Sequence, residues 1–531
     1  MIVTLSIITL ILLLSNICLE LKRDLMMFQQ NSYRADRYRR WLSASADSTS
    51  LWRLMALVIF FIALCVFSRP MASLLMAAVF AAFSIRHLSV ARYKKPLVFT
   101  ARARRIYGTA LALVAIVCGA SAIIFARPAA AVPDLYTISV ALLGCYCASH
   151  LIILAAGTIL SPVEHCINRR YYRDAERILA SMPDLRVVGI TGSYGKTSTK
   201  HYLYRILSSH FDTLMTPGSY NTTLGVIRTV REYLKPYNEV FIVEMGAKAR
   251  GDIKEICDLV HPAMGIITAV GPQHLESFKT IEAVQATKFE LADALPADGL
   301  AILNNDFPKI ADRPVTNTRS ARYAVREKAD YRATDVVYTP AGTDFTVTGP
   351  DGFSLALHTR LMGECNVSDI LAAVVAARAL GVPDDKIRAA VASIEPVEHR
   401  LSVKTTGGGI TILDDAFNSN PVGSRMAMEV LGTFTGGKRI VITPGMIELG
   451  PEQYELNCEF GRAIAANADV AIVVGQYNRE AIVAGLRHSG KFPVQNIHEV
   501  DSFAQAQQLL ASIAAKGDTV LYENDLPDTF K

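Results

Sequence analysis

Residues 189–198 read Gly189-Ile-Thr-Gly192-Ser-Tyr-Gly195-Lys196-Thr197-Ser198, at the end of an apolar run that starts at residue 185 and before a helix predicted from about Lys200. Glycines in such a turn let successive backbone N–H groups face a phosphate. The general pattern G-x-x-x-x-G-K-[ST] has its first glycine where this chain has Ile190, so the loop is a variant. We predict that nucleotide phosphates and Mg²⁺ are bound by Gly192, Ser193, Gly195, Lys196, Thr197 and Ser198, with Lys196 at the β- and γ-phosphates and Thr197 on the metal.

The first 160 residues are dominated by apolar runs. The chain has 531 residues, of which 51% are hydrophobic, and several of the runs are long enough to cross a bilayer of about 30 Å. We predict about five membrane spans, with the short second and third spans as a possible re-entrant hairpin. The predicted spans cover residues 3–19, 54–68, 71–85, 106–126 and 136–160.

Basic residues predict how these spans are oriented, since Lys and Arg accumulate in cytoplasmic loops. Two of the four loops are rich in them, and the other two hold only Arg69 and Arg127. With five spans, we predict that the amino end lies outside the cell and that the chain after residue 160 lies in the cytoplasm. The protein is thus predicted to be a multi-pass protein of the cell membrane. The first run could also be a signal peptide, but it lacks a basic start and an Ala-x-Ala-like cleavage site. The two basic loops contain Lys22, Arg23, Arg34, Arg37, Arg39, Arg40 and Arg53, and Arg86, Arg92, Lys94, Lys95, Arg102, Arg104 and Arg105.

The net charge indicates the kind of partner, and the cysteine spacing indicates the state of the thiols. The net charge of +5 comes largely from the membrane loops, which favours contact with anionic membrane lipids and not with nucleic acid. The nine cysteines show no spacing typical of a zinc site or a disulfide framework. We therefore expect reduced, mostly buried thiols.

After the membrane region, β-rich runs alternate with helical stretches, which is typical of parallel sheets covered by helices. We predict a juxtamembrane amphipathic helix at 161–182, a central nucleotide-binding domain at 183–395 and a C-terminal Rossmann-like α/β domain at 396–531. A few antiparallel strands are expected at 315–358. The predicted parallel strands cover residues 187–191, 240–245, 265–270, 301–304, 410–413, 439–443, 470–474 and 519–522.

Three further side chains are candidates for the site. Glu244 ends a buried strand, where a carboxylate could share Mg²⁺ with Thr197 or simply pair with a cation. His274 follows the next predicted strand, although a lone histidine there is more often a capped loop residue. Lys288 lies on a predicted helix, where a lysine usually faces solvent.

The motifs taken together resemble the Mur ligase family, ATP-dependent enzymes that form amide bonds in peptidoglycan assembly, and within it the branch that adds D-alanyl-D-alanine. The resemblance covers about residue 186 to the carboxyl end. The motifs that carry it, in chain order, are Thr191-Gly-Ser-Tyr-Gly-Lys-Thr-Ser, Asn221-Thr-Thr-Leu-Gly, Glu244-Met-Gly-Ala, Val270-Gly-Pro-Gln-His-Leu-Glu-Ser-Phe, Ala286-Thr-Lys-Phe-Glu, Asn304-Asn-Asp, Gly363-Glu-Cys-Asn-Val, His399-Arg400, Asp414-Asp-Ala-Phe-Asn-Ser-Asn-Pro and Gly445-Met-Ile-Glu-Leu-Gly.

The resemblance implies a role for each matching residue. Lys196 and Thr197 would bind the phosphates of ATP and a first Mg²⁺, with Glu244 as a metal ligand. His274 would help to hold a second Mg²⁺, and Lys288 matches the lysine that the family carbamylates. The resemblance also assigns Asn366 to adenine, Arg400 to the γ-phosphate and Asp415 to the ribose or the domain junction.

The implied reaction needs this set of charges. A substrate carboxylate attacks the γ-phosphate of ATP to give an acyl phosphate, and an amine such as D-alanyl-D-alanine then displaces phosphate. Both steps concentrate negative charge, which Mg²⁺ and cationic side chains such as Lys196, Lys288 and Arg400 would stabilise.

The sequence also departs from the family pattern. Cys365 and Asp369 stand where the pattern has His and Asn, and the ending Gly517-Asp-Thr-Val-Leu-Tyr-Glu-Asn-Asp differs from the expected Lys-Gly-Ser type. Membrane spans replace the small domain that binds a UDP-sugar peptide. We therefore expect the acyl donor, a cell-envelope peptide or muropeptide, to be presented at the bilayer in a lipid-linked form.

Two other interpretations stay open at this level. One is a poly-γ-glutamate-type or other amino-acid-adding ligase of the same superfamily, which also joins a membrane segment to this kind of ATPase. The other is a regulator or transport subunit in which nucleotide binding drives a conformational change. The presence of His274, Lys288 and Arg400 beside the phosphate loop favours the ligase.

Overall fold

The computed structural model describes residues 2–525, except 48–49, 66–69, 92, 94, 125–130, 274, 340–341, 417–418, 489 and 491. The described chain divides after Arg169 into two compact units. The first unit is helical, and the second contains two sheets.

The first unit is built from apolar helices. Four helical segments are long and apolar enough to cross a membrane: Val3–Gln30, Met71–Val90, Ala101–Ile124 and Ser149–Ala180. The shorter apolar helices are Leu51–Cys65 and Leu135–Cys147. The full helices are α1 (Ile2–Gln30), α2 (Ala35–Ala44), α3 (Leu51–Cys65), α4 (Pro70–Val90), α5 (Ala101–Ile124), α6 (Ala131–Cys147) and α7 (Ser149–Ala180), of which α7 continues past Arg169.

These helices differ from the five predicted runs. The run at 136–160 is divided at Ala148 between α6 and α7, and the expected juxtamembrane helix at 161–182 is the second half of α7. Of the basic residues assigned to the first loop, Lys22 and Arg23 lie on α1 and Arg53 lies on α3, and Arg53 is buried. The hairpin alternative for the second and third spans depends on residues 66–69, which lie outside the described residues.

The first sheet of the second unit has nine strands in the order β2-β3-β1-β4-β5-β6-β7-β8-β9. Its strands are parallel from β2 to β7, and β7, β8 and β9 pair antiparallel. The strands are β1 (Arg186–Thr191), β2 (Thr213–Met215), β3 (Val240–Glu244), β4 (Met264–Ile267), β5 (Leu300–Asn304), β6 (Arg319–Ala324), β7 (Tyr331–Thr339), β8 (Gly342–Thr348) and β9 (Ser354–Thr359).

Helices cover this sheet because its central strands are apolar on both faces. Every residue of β3 is buried, as expected for a parallel strand between two helical layers. Because β1, β3 and β4 are parallel, their carboxyl ends meet at one edge of the sheet. The helices are α8 (Lys196–Leu207), α9 (Thr223–Glu232), α10 (Asp252–Val260), α11 (Leu275–Phe278), α12 (Ile281–Asp293), α13 (Pro308–Ala311), α14 (Glu364–Ala379) and α15 (Asp384–Ala392).

The second sheet has the order β10-β11-β15-β12-β13-β14, with only its first pair antiparallel. The two sheets with their helices confirm the predicted α/β fold class. The strands are β10 (Ser402–Thr405), β11 (Thr411–Asp415), β12 (Arg439–Thr443), β13 (Val470–Val474), β14 (Ile497–Val500) and β15 (Thr519–Glu523), and the helices are α16 (Pro421–Gly432), α17 (Gln453–Asn467), α18 (Arg479–His488) and α19 (Phe503–Ile513).

Candidate active site

The phosphate loop joins β1 to α8 at the carboxyl edge of the first sheet. Gly192 and Gly195 have φ angles of 155° and 77°, a region that favours glycine. A Cβ atom at Gly195 would overlap the carboxylate of Asp369. The Nζ atom of Lys196 donates to the carbonyl oxygens of Gly192 (2.6 Å) and Ser193 (3.2 Å), so the ammonium lies inside the curve of the loop.

Glu244 stands next to this loop because β3 pairs with β1 in a register that aligns it with Ile190. Its Oε1 atom accepts hydrogen bonds from the Thr197 hydroxyl (3.3 Å) and the Asn221 amide (3.0 Å). Its Oε2 atom is 2.9 Å from the Nζ atom of the fully buried Lys200. Burial opposes ionisation of Glu244, but the ammonium groups of Lys200 and Lys196 outweigh it and hold the pKa of this carboxyl below its ordinary value.

A polar depression opens beside the loop, within the second unit. Arg400 and Asn420 line it opposite the loop residues from Ser193 to Ser198, together with Gln273. Arg400 lies just before β10, and Asn420 caps the start of α16 by accepting from the N–H of Gly423 at 2.8 Å. Two cations, Lys196 and Arg400, and the amide groups of Gln273 and Asn420 therefore surround one small volume. Burial lowers the pKa of Lys196 to about 8 there, with Glu244 opposing the shift.

Lys288 lies on α12 with 2% of its surface exposed. Burial, with the charge of Lys196 second, holds the pKa of this amine well below its ordinary value. The alternative of a lysine that faces solvent therefore does not hold for Lys288, and its role in the site stays a prediction. His274 lies outside the described residues, although its neighbour Gln273 lines the depression.

Asn366 and Asp415 make contacts within the fold. The Asn366 side chain accepts from the Tyr202 hydroxyl (2.6 Å) and donates to the Met362 carbonyl (2.7 Å), which ties α14 to α8. Asp415 ends β11 and accepts from the N–H of Leu401 at 3.0 Å, next to Arg400. Burial raises the pKa of Asp415 to about 6. Neither side chain is among those lining the depression, so their contacts with adenine and ribose stay predictions.

Three residues of the site were not predicted. Lys200 pairs with Glu244, Asp369 supports Gly195, and Asn420 lines the depression. The sequence feature that could have identified Lys200 is its position one helical turn after Lys196, which places both side chains on one face of α8. Asp369 accepts from the Thr199 hydroxyl at 3.0 Å, and burial raises its pKa to about 8.

The residues present fit a nucleotide with a divalent cation. The glycine positions keep side chains out of the loop, so its backbone can approach phosphate oxygens closely. The Thr197 hydroxyl and the Glu244 carboxylate are 3.3 Å apart and offer the oxygen ligands that Mg²⁺ prefers. Lys196 and Arg400 add positive charge on the phosphate side.

Protein-family comparisons cover most of the second unit. The Mur ligase middle domain matches residues 190–377, and the Mur ligase glutamate ligase domain matches residues 399–522. The chain is 28% identical to the UDP-N-acetylmuramoyl-tripeptide–D-alanyl-D-alanine ligase of Bacillus subtilis over 341 residues, 64% of this chain and 72% of the relative. It is 32% identical to the Escherichia coli ligase of the same name over 295 residues, 55% of this chain and 65% of the relative.

Solved structures show the same likeness. MurF from Acinetobacter baumannii matches with a TM-score of 0.61 and 25% identity, over 67% of this chain and 77% of that chain. The MurF ligase of Thermotoga maritima in complex with ADP matches with a TM-score of 0.60 and 26% identity, over 67% and 80% of the two chains.

Proposed function

The chain belongs to the Mur ligase family of ATP-dependent ligases, and we propose that it joins D-alanyl-D-alanine to a muropeptide of the cell envelope. Lys196, Thr197 and Arg400 line one depression, and Thr197 contacts the Glu244 carboxylate, an arrangement that supports ligase chemistry. The names of the B. subtilis and E. coli relatives support the choice of acceptor.

The chemistry proceeds in two substitutions. The muropeptide carboxylate attacks the γ-phosphorus of ATP, the bond to ADP breaks, and an acyl phosphate forms. The amine of D-alanyl-D-alanine then attacks the acyl carbon, phosphate leaves, and the amine proton passes to a base. Lys196 and Arg400 line the depression, so their ammonium and guanidinium groups would stabilise the negative charge that develops on the phosphoryl group in the first transition state.

Thr197 and Glu244 would hold a first Mg²⁺, which neutralises phosphate charge when it is bound. Lys200 and Asn221 fix the Glu244 carboxylate from its other sides. Orientation by such neighbours is common around metal ligands.

Lys288 would hold a second Mg²⁺ together with His274, after conversion to a carbamate. Only a neutral amine can attack carbon dioxide, and burial lowers the pKa of Lys288, which favours the neutral form of this amine. The reaction forms an N–C bond and releases one proton, which leaves a carboxylate-like group on the side chain. The net change replaces a buried neutral amine by an anion suited to Mg²⁺.

The acceptor is tested with the purified full-length chain in detergent micelles, supplied with ATP, Mg²⁺, a muropeptide and single candidate amines. We expect ADP release and a product of the summed mass, less one water, with D-alanyl-D-alanine. If single amino acids such as glutamate support turnover and the dipeptide does not, the acceptor is that of another branch of the superfamily. ADP release without any dependence on an amine would contradict the ligase.

The apolar helices support a location in the cell membrane with the ligase domains in the cytoplasm, where ATP is available. In that location the acyl donor would be a lipid-linked muropeptide held at the bilayer, and anionic lipids would contact the basic loops. Turnover of soluble UDP-muropeptide is compared with that of its polyprenyl-linked counterpart in vesicles. Preference for the lipid-linked form supports presentation at the membrane, and equal turnover contradicts it.

A further inference from the structure

A cluster of buried and half-buried charged side chains lies inside the helical first unit, and the ligase chemistry does not use it. We call it the bundle cluster, and it consists of Glu20, Arg23, Asp24, Asp47, Arg53 and His150. Glu20, Asp24, Arg53 and His150 are each at most 7% exposed. Charged groups at such positions are costly, so they commonly mark functional sites.

The carboxylates of the bundle cluster outnumber its guanidinium groups. Arg53 lies 2.6 Å from Glu20 and 3.3 Å from Asp24, and Arg23 lies 2.5 Å from Asp47. Three carboxylates thus face two guanidinium groups. A further cation bound here would offset this excess of carboxylates.

His150 lies between two of these carboxylates. Its Nδ1 atom is 2.7 Å from the Tyr38 hydroxyl and 3.2 Å from Oδ1 of Asp24. Its Nε2 atom is 3.2 Å from Oδ2 of Asp47. That Nε2 atom is nevertheless buried without a hydrogen-bond partner among the described residues, so an N–H bond at this position would miss the carboxylate oxygen.

The 3.2 Å distance between Nε2 of His150 and Oδ2 of Asp47 is that expected of two ligand atoms on one metal ion. Metal–ligand bonds of about 2.1 Å place neighbouring ligand atoms about 3.0–3.4 Å apart in octahedral or tetrahedral geometry. One ligand atom each from Asp24, Asp47 and His150 lies within 4.8 Å of the other two. The Tyr38 hydroxyl at Nδ1 matches the usual arrangement in which a metal-bound histidine donates its other N–H to a neighbouring oxygen.

We propose that Asp24, Asp47 and His150 bind one divalent transition-metal ion in the helical unit. The donor set of one imidazole and two carboxylates suits Zn²⁺ and related ions. The bound ion would join α1, the segment between α2 and α3, and the start of α7. The added positive charge would also offset the excess of carboxylates.

The test uses the full-length chain in detergent micelles, freed of metal with a chelator and then titrated with Zn²⁺. We expect one equivalent of Zn²⁺ to remain after free metal is removed. This equivalent should be lost in His150→Ala and in Asp47→Asn. It should persist in the control His165→Ala, which changes an exposed histidine of the same unit, and in Glu244→Gln, which separates this site from the nucleotide site.

Co²⁺ provides a second readout that does not need a folded loss-of-ligand variant. Bound Co²⁺ should give visible absorption bands typical of nitrogen and oxygen ligands, and Zn²⁺ should remove them. Tyr38→Phe should weaken binding by about 10–100-fold, since it removes a neighbour of the ligating histidine. Absence of a bound equivalent in the unmodified chain, or its retention in both His150→Ala and Asp47→Asn, would overturn the proposal.

Discussion

At the scale of single residues, Lys288 combines a buried position with a weakly basic amine. Replacing Lys288 by alanine removes the group that we propose to carry a carbamate, so we expect kcat to fall by about 100-fold or more, as when one stabilising group is lost from a charged transition state. Acetate or formate should restore part of the rate by supplying the missing carboxylate. The measurement is ADP release by the full-length variant, with the exposed Lys254→Ala as control. Full activity of Lys288→Ala at unchanged folding would exclude the carbamate.

Asp369 leads us to expect that the stability of the second unit depends on pH. The ordinary pKa of aspartate is about 3.9, and burial raises that of Asp369 to about 8, with Thr199, Arg400 and Lys196 opposing the shift. The folded chain therefore keeps a proton that the unfolded chain has released. Its free energy of unfolding should fall by up to about 1.4 kcal/mol per pH unit from about pH 4 to about pH 8 because of this residue.

Asp369→Asn should remove this contribution, because the amide stays neutral and can still accept from Thr199. We expect the variant to melt at a higher temperature than the unmodified chain at pH 7.5, with a smaller difference at pH 5.5. Thermal unfolding of both chains in detergent micelles measures this, and the exposed Asp298→Asn serves as control. A difference that does not change with pH would show that Asp369 is ionised in the folded chain.

Sequence patterns located the residues of the site that belong to local motifs. Lys196 and Thr197 follow from the phosphate loop, and Glu244 follows from the end of a buried strand. Lys200 and Asp369 were missed because their roles depend on partners that are distant in the chain. Lys200 on α8 pairs with Glu244 at the end of β3, and Asp369 on α14 lies against Gly195 of the phosphate loop.

At the scale of elements, Arg53 stabilises the break between α6 and α7. Its guanidinium group donates to the carbonyl of Tyr146 (3.1 Å) and the hydroxyl of Ser149 (2.9 Å), on either side of Ala148, and pairs with Glu20. Arg53→Met leaves these carbonyl and carboxylate groups without a cation, so we expect a loss of about 3–5 kcal/mol. The melting temperature in micelles tests this against Arg104→Met, which changes an exposed arginine. Equal melting of both variants would contradict the prediction.

The strands and the break at Ala148 show which structural elements can be predicted from the sequence. Strands with two buried faces, such as β3 and β13, are continuous apolar runs and were placed within one residue. The short strands β2, β10 and β14 were missed because they are only three or four residues long and carry polar side chains. No glycine or proline stands at 147–149, and Arg53, which is distant in the sequence, contacts groups on both sides of Ala148.

At the scale of the whole molecule, the number of crossings decides on which side of the membrane the amino end lies. Four long segments and two shorter apolar helices are present among the described residues. If α6 and the start of α7 cross together as one interrupted span, then α1, α3, α4 and α5 bring the number to five. The amino end then lies outside while the ligase domains stay in the cytoplasm, in agreement with the basic loops.

Reporter domains fused before α1 and after β15 test this count in intact cells. We expect the first to be active only when it is outside and the second only when it is in the cytoplasm. An even number of crossings, four or six, would place both reporters on the same side. With the ligase domains in the cytoplasm, an amino-terminal reporter found inside would therefore mean either that α3 does not cross or that α6 and α7 cross separately. Either result would require a different path for the lipid-linked donor.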